Sequence, residues 1–452
     1  MPTQSHRRIV ELLVEHGFEA LYVGGCVRGE FTGEEVNDYD IATNANPDQV
    51  AHIFRTWFVE EVGKNFGVMI VNGIEVATFR SESYLIPGKP DVLLVGNFEE
   101  DSARRDFTIN ALAKKLDGTI IDHHGGLQDI ERKVIRAVNN PLERFIEDPS
   151  RILRGMYLAA KLSFSIEEET FRTMKKNINL LKETSVELVG KILMKVMKHN
   201  CLHPFMLFLK ETGALKYVFP ELCHTIGMPQ NPKYHDSNVF DHIMRVLKSV
   251  EEKYPGDTIL QLSAVFHDVA KGLPDVRGIN KEGQPNDLEH EEAGVPITEQ
   301  ALLRLQFGKS VAKQVCFIVK FHGTRLDENP RRGSVTRHLR SMGNFFRDKP
   351  SLVVGITKLF QFMDCDSDGF EPTFGAEMKR ITNSVEGHFR QVLLDTIFYR
   401  NELPINGRDL MNWGIYGEKI GEVLDYLVKE NVQEVEIIKK RLAKRRLIVD
   451  AG

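Results

Sequence analysis

Asp38 and Asp40 stand two residues apart on a stretch that reads as extended, so both carboxylates turn to one face. Side-by-side carboxylates repel unless a cation lies between them. Hard oxygen ligands of this kind suit Mg²⁺ or Mn²⁺ bridging a nucleoside triphosphate. Just upstream runs Leu21-Tyr-Val-Gly-Gly-Cys-Val-Arg-Gly-Glu. Tyr22 and Val23 read as the end of a short buried strand. Gly24 and Gly25 read as a tight turn that lets backbone approach a ligand. Val27 and Arg28 begin a helix whose first N–H groups favour a phosphate. A solvated loop explains either fragment alone; the two in this order favour catalysis.

A second set of chemical residues lies far downstream. His242 falls on a helical stretch, and His267-Asp268 closes the apolar run Leu262–Phe266. His290, His322 and Asp366 follow. A His-Asp doublet at a helix end, with a distant histidine and aspartate, makes a mixed N/O metal shell that turns bound water into hydroxide near neutral pH. A lone histidine on such a helix is ordinarily structural; four with the doublet are not.

The intervening elements can be read as well. Apolar residues at helical spacing predict a helix over Gln4–Val14, and Asn44, Asn46 and Pro47 announce another over Val50–Trp57. Two β-rich runs flank Asn72-Gly73, a hairpin signal that puts Glu75 on the second strand as a candidate third carboxylate. Residues 81–100, rich in Gly, Pro and polar side chains, read as a mobile loop. Asp106 reads as a helix cap with Phe107, Ile109 and Leu112 packing inward, and Arg104 and Arg105 stand before it, placed for phosphate or ribose. In Glu147-Asp-Pro-Ser-Arg151, Asp148 and Arg151 are spaced to share one helix face, acceptors beside donors, as on a Watson–Crick edge. An exposed ion pair is the alternative at both Arg–Asp sites.

At 452 residues the chain exceeds a single core and predicts several domains. Hydrophobic content of 42% and charged content of 27% are those of a globular protein. The net charge of −5 confines any nucleic-acid contact to a local basic patch. Five scattered cysteines without Cys-x-x-Cys spacing read as reduced thiols. With no signal peptide and no apolar run that spans a bilayer, the expectation is a cytoplasmic protein with no membrane association. The densest basic run, Lys439–Arg446 on an expected helix, could grip RNA or simply face solvent.

Gly24-Gly-Cys-Val-Arg, Asp38-Tyr-Asp and Arg104-Arg-Asp-Phe-Thr-Ile-Asn-Ala resemble the head motifs of the class II tRNA nucleotidyltransferase and bacterial poly(A) polymerase family. Gly125–Val138, Phe145–Arg154, Ile405–Met411 and Lys419–Gly421 extend the resemblance along the chain. It implies an α+β multidomain fold: a polymerase β-type head, a mixed sheet with helices, then a mainly helical remainder. The expected divisions are a head over 1–138, a base-selecting neck over 139–225, a metal-dependent domain over 226–372 and a C-terminal tRNA-binding segment over 373–452. The implied reaction is template-independent addition of CCA to tRNA from CTP and ATP. Asp38 and Asp40 would hold Mg²⁺, with Glu75 beside them. Gly24, Gly25, Arg28, Arg105, Asp106 and Asn110 would hold phosphate or sugar, and Asp148, Arg151 and Arg154 would read the base. Three positions depart from the family pattern: Gly29 replaces an acid, Tyr157 a common Arg, and Glu187-Leu-Val-Gly-Lys-Ile a Glu-Arg-Ile motif.

The downstream residues resemble the HD phosphohydrolase superfamily. That likeness implies His242, His267, Asp268 and Asp366 as core ligands, His290 and His322 for a second metal, and Lys271 for a phosphate oxygen. Asp364 is the weaker candidate for the last ligand. The metals implied are Ni²⁺, Mn²⁺ or Co²⁺, and the reaction is cleavage of phosphorylated or cyclic RNA ends before extension. The rival readings are a poly(A) polymerase, an enzyme adding only CC or only A, an HD phosphohydrolase with an inactive RNA-binding head, and a non-enzymatic tRNA chaperone. Homo-oligomerisation is compatible with all of them.

Overall fold

The computed structural model describes residues 2–36, 38–324, 327–445 and 447. It comprises two compact units, Met1–Pro220 and Glu221–Gly452. In the first, a seven-stranded sheet carries the candidate chemistry. Its strands are β1 (Ala20–Val23), β2 (Ile41–Thr43), β3 (Val59–Gly63), β4 (Val68–Val71), β5 (Ile74–Thr78), β6 (Leu112–Lys114) and β7 (Ile120–Asp122), in the order β3-β4-β5-β2-β1-β6-β7. Only β2 and β5 run parallel. Leu21, Val23, Ala42, Phe79, Phe98 and Ala113 bury one face of the sheet.

The expected helix at the start is present as α1 (Gln4–Glu15), capped by Thr3. Asn46 and Gln49 close a capping box on α3 (Pro47–Ile53), which starts earlier than the expected Val50–Trp57 because the box and Pro47 fix its first turn, and which ends at Ile53 rather than Trp57. Between these, α2 (Gly25–Thr32) begins two residues earlier than its sequence suggests, directly on the Gly24 turn. At β4–β5, Asn72 and Gly73 both take positive φ (50° and 79°), the conformation that a two-residue hairpin turn demands.

Two expectations fail. The stretch 81–100 is no loop: Arg80–Ile86 pairs antiparallel with Lys89–Leu94, and Phe98–Ala103 is helical. Gly88 (φ 72°) marks the turn. Several of its side chains stay exposed, Leu85 at 89% and Leu93 at 67%, so alternation against a core never announces the strands. Asp106 caps no α-helix either. Phe107 is extended, Thr108–Asn110 makes a 3₁₀ turn, and the Asp106 carboxylate accepts from the Phe107 N–H and from Asn110 Nδ2.

Behind the head, Pro141–Glu147 and Ser150–Leu162 are successive helices, and Val186–Lys198 packs against the second of them. Among the described residues the second unit's regular elements are helices and one small hairpin, Arg277–Ile279 with Pro285–Asp287. Its C-terminal helices gather around Leu410, Leu427, Ile438 and Leu442. The basic helix there spans Val435–Lys444; Arg446 lies outside the described residues. Among the described residues no helix is long and apolar enough to cross a membrane.

Candidate active sites

Tyr39 is buried, its ring 5.4 Å from that of His6 and 5.8 Å from that of Tyr22, while Asp38 and Asp40 on either side of it are exposed. The extended backbone thus turns both carboxylates out together. In the parallel pairing Ile41 faces Val76, which brings the preceding Asp40 alongside the exposed Glu75. Displaced water, then Glu75, then Asp38 push the Asp40 carboxyl up to about 6. A cation would relieve that shared negative charge, but among the described residues the three carboxylates do not bring their oxygens within 4.8 Å of one another.

Asp40 opens onto a cavity of about 990 Å³. Its walls bring together Gly24, Gly25, Arg28, Arg105, Asp106, Asn110, Asp148, Arg151 and Arg154; Asp38 and Glu75 are not among its lining residues. Gly24 takes φ 73°, ψ −127°, and a Cβ there would meet Arg105 Nη1 at 3.2 Å. Only glycine suits both the conformation and the approach.

The arginines of this cavity are tied to carboxylates. Arg28 pairs with Glu34 at 2.8 Å and bonds Asn110 Oδ1. Asp101, buried, holds both Arg104 (2.8 Å) and Arg105 (2.9 Å). Arg154 pairs with Asp106 at 2.6 Å. Asp106 is buried, which by itself would raise its carboxyl, but Arg154, Asn110 and the Phe107 N–H hold it below the ordinary range. Arg80 and Arg104 share Glu82.

Asp148 and Arg151 do not lie on one helix. Asp148 sits between two helices at φ −141°, ψ 96°, since the proline that follows disfavours helical backbone. Arg151 is buried in the next helix, where it donates to Glu147 (2.7 Å) and to the carbonyls of Arg144 and Arg104. Both side chains still reach the cavity. Part of the lining was not expected from sequence: Lys191, Lys195 and Lys198, with Leu188 and Met194, come from Val186–Lys198, which packs against the helix carrying Arg151 and Arg154. Their spacing of four and three residues was the available signal.

In the second unit, His242 sits on Val239–Lys253, His267 and Asp268 close Thr258–Phe266, His290 opens its helix, His322 closes another, and Asp366 lies on Lys349–Ser367. They form two groups whose donor atoms lie within 4.8 Å of one another: His242, His267 and Asp366, and Asp268, His290 and His322. Every histidine has Nδ1 against a backbone carbonyl: Gly369, Ala264, Asp287 and Val319, at 2.8–3.0 Å. Each Nδ1–H donates there, which leaves the Nε2 lone pairs converging. The Nε2 atoms of His242 and His267 are 3.1 Å apart and those of His290 and His322 3.4 Å apart. Such lone pairs repel unless protons or metal ions lie between them, so the donor set fits two cations. Asp268 is wholly buried, yet His267 and Lys271 (Nζ at 2.7 Å) hold its carboxyl well below the usual range. Asp364 points away and pairs with Lys253 and Lys379.

Residues 20–136 match the poly(A) polymerase head domain, and residues 163–225 match a region described as a probable RNA- and SrmB-binding site of polymerase A. The CCA-adding enzyme of Levilactobacillus brevis is 40% identical over 217 residues, 47% of this chain and 54% of that one. That of Bacillus pumilus is 45% identical over 185 residues, 40% of this chain and 46% of that one. Over its first half the chain is thus similar to the poly(A) polymerase head domain and to CCA-adding enzymes.

The chain spans about half the length of the curated relatives it matches. A crystal structure of the Bacillus stearothermophilus CCA-adding enzyme in complex with CTP covers 98% of each chain at 24% identity, with a TM-score of 0.67. A CCA-adding enzyme in complex with ATP covers 99% of this chain and 94% of its own at 21% identity, with a TM-score of 0.58. These likenesses establish the fold: a mixed-sheet head followed by helices. Against the family pattern, Gly29 has a local cause. A Cβ there would fall 2.5 Å from Val36 Cγ2, so the packing of Val36 demands glycine. Tyr157, where family members commonly have Arg, places its hydroxyl 3.2 Å from His199 Nδ1.

Proposed function

We propose that this protein adds CCA to the 3′ end of tRNA from CTP and ATP, releasing pyrophosphate. The observation that carries the reading is the shared cavity: Asp40 and the Gly24 turn on the head side, Asp148, Arg151 and Arg154 on the neck side. A metal-binding carboxylate and a pair of base-edge mimics are both needed when no nucleic-acid template is used. Asp38 and Asp40, with Glu75 beside them, hold Mg²⁺. When bound, the ions lower the pKa of the RNA 3′-hydroxyl and neutralise the triphosphate. The N–H groups at Gly24 and Gly25 and the Arg28 and Arg105 guanidinia orient the phosphates so that the hydroxyl oxygen attacks the α-phosphorus in line. Asp106 and Asn110 fix the sugar, and Asp148 accepts from the base while Arg151 and Arg154 donate to it. The finer division into head (1–138), neck (139–225), metal domain (226–372) and tRNA-binding tail (373–452) belongs to the same reading, as does a cytoplasmic location.

We further propose that residues 226–372 form an HD-type phosphohydrolase domain. It rests on the two convergent ligand groups, with Lys271 lining the same cavity of about 470 Å³. A transition metal such as Ni²⁺, Mn²⁺ or Co²⁺ held there supplies a hydroxide near neutral pH. Cleaving a phosphorylated or cyclic RNA end would expose the hydroxyl that the head extends.

Incubating the protein with tRNA lacking CCA, and CTP and ATP singly and together, tests the first reading. Three nucleotides added only with both substrates is the expected result; a long A tract or no extension overturns it. Hydrolysis of a 2′,3′-cyclic nucleotide in Ni²⁺ or Mn²⁺, lost in Asp268→Ala, tests the second.

A further inference from the structure

Glu34 stands behind the wall of the head cavity, and its carboxylate serves three neighbours. Arg28 donates to it through Nε (2.8 Å) and Nη2 (3.3 Å), and Thr32 Oγ1 donates at 2.8 Å. Lys161 Nζ lies 2.5 Å from Glu34 Oε1. All three charged side chains are largely shielded from water, unlike the solvated pairs that contribute little. Burial would raise the Glu34 carboxyl, but Arg28, then Lys161 and Thr32, pull it down to about 2. No carboxylate fits beside Arg28 at position 29, where a Cβ would fall 2.5 Å from Val36 Cγ2. Glu34 reaches back from the following loop and supplies one.

What Glu34 leaves free on Arg28 points to its role. A guanidinium has five N–H donors in a rigid fork. Glu34 takes one on Nε and one on Nη2, and the Asn110 side-chain oxygen takes one on Nη1. Among the described residues one N–H on each Nη remains, and Arg28 lines the cavity. Its Nη2 lies 3.8 Å from where a Cβ on Gly25 would stand, so the remaining donors flank the glycine turn. A fork gripped on two N–H groups has its plane fixed before any ligand arrives. Lys161 stands in the last turn of the helix Ser150–Leu162, whose other end carries Arg151 and Arg154. We propose that Glu34 is a positioning residue of the nucleotide site: it aims Arg28 at the phosphates of the incoming nucleotide, and Lys161 ties that aim to the helix bearing Arg151 and Arg154. The inference rests on the proposed nucleotidyl transfer. Glu34 itself touches no substrate and acts through Arg28.

Glu34→Gln keeps the side-chain shape and removes the charge; Lys161→Met removes the outer partner. Each is made in the full chain and again on Arg28→Met. Binding of CTP and of ATP, each with Mg²⁺ and without RNA, is measured by isothermal titration calorimetry. Glu34→Gln should weaken both nucleotides about tenfold and leave their ratio within about twofold. Lys161→Met should weaken both about threefold. On Arg28→Met neither change should add more than about twofold, because residues acting as a unit are not additive. Unchanged or tighter CTP binding by Glu34→Gln overturns the positioning role. So does a loss that persists undiminished on Arg28→Met, the mark of a carboxylate that only holds the fold together. Should Glu34→Gln fail to melt cooperatively, Lys161→Met decides by the same two criteria. A parent chain that binds neither nucleotide overturns the nucleotidyl-transfer reading and this inference with it; a parent that binds both, with Glu34→Gln binding equally, overturns the inference alone.

Discussion

Asp40 combines two opposed demands. Its carboxyl is raised to about 6 by displaced water, Glu75 and Asp38, so the apoprotein holds it against its preference. The folded-state value lies above the unfolded one, so this group's stabilising contribution is present at low pH and lost as pH rises from about 4 through 6. Asp40→Asn should therefore melt about 1–2 °C above the parent at pH 7.5 without metal, with the gap closing near pH 4, in scanning fluorimetry. The same variant should lose at least about 10³-fold in kcat for CTP incorporation. Mg²⁺ affinity of the parent should fall as pH drops through 6, because protonation removes a ligand. Gly24→Ala acts through the backbone: at φ 73°, ψ −127° a side chain costs about 1–3 kcal/mol. Its added methyl also crowds Arg105, so thermal stability and kcat/KM for CTP should fall together.

In the proposed reading, the helix Ser150–Leu162 is the element that would tie base selection to the head. It places Arg151 and Arg154 in the cavity, and it approaches the head so closely that a Cβ on Gly155 would lie 2.7 Å from Phe107 Cζ and 2.6 Å from Met174 Cε. Both neighbours are fully buried, and the Phe107 ring is the stiffer of the two. Gly155→Ala should cost about 1–3 kcal/mol by overpacking. It should lower kcat/KM for CTP and ATP alike, as displacement of the whole helix would, whereas a change at Asp148 should alter the ratio between the two nucleotides. Denaturant melts and single-nucleotide kinetics distinguish the two.

At the scale of the whole molecule, the two units carry different side-chain sets: carboxylates and arginines around a cavity in one, converging imidazoles in the other. Asp268→Ala should leave CCA addition intact while abolishing metal-dependent hydrolysis and the rise in melting temperature on adding Ni²⁺ or Mn²⁺. A metal at 100 times its Kd stabilises by about 2.7 kcal/mol, enough for calorimetry to resolve. An undiminished metal-induced rise in that variant would place the ion elsewhere.

Local chemistry that needs only neighbouring residues was legible in the chain: the Gly24 turn, the Asn72-Gly73 hairpin, the Asn46 cap, the out-turned Asp38 and Asp40, and the His267-Asp268 doublet at a helix end. Each is governed by backbone preference or by a period of two or 3.6 residues, and such forces act over a few positions. Tertiary structure decided the rest. It turned residues 81–100 into a hairpin whose exposed side chains conceal its strands, and it broke the helix at Asp148 before Pro149. It also spent the arginines on Asp101, Glu34, Glu82, Glu147 and Asp106, and brought the lysines of Val186–Lys198 to the same cavity. Several of these pairs join near neighbours, but Arg104 meets Glu82 and Arg154 meets Asp106 across long stretches of chain, and only the packed chain brings such partners together.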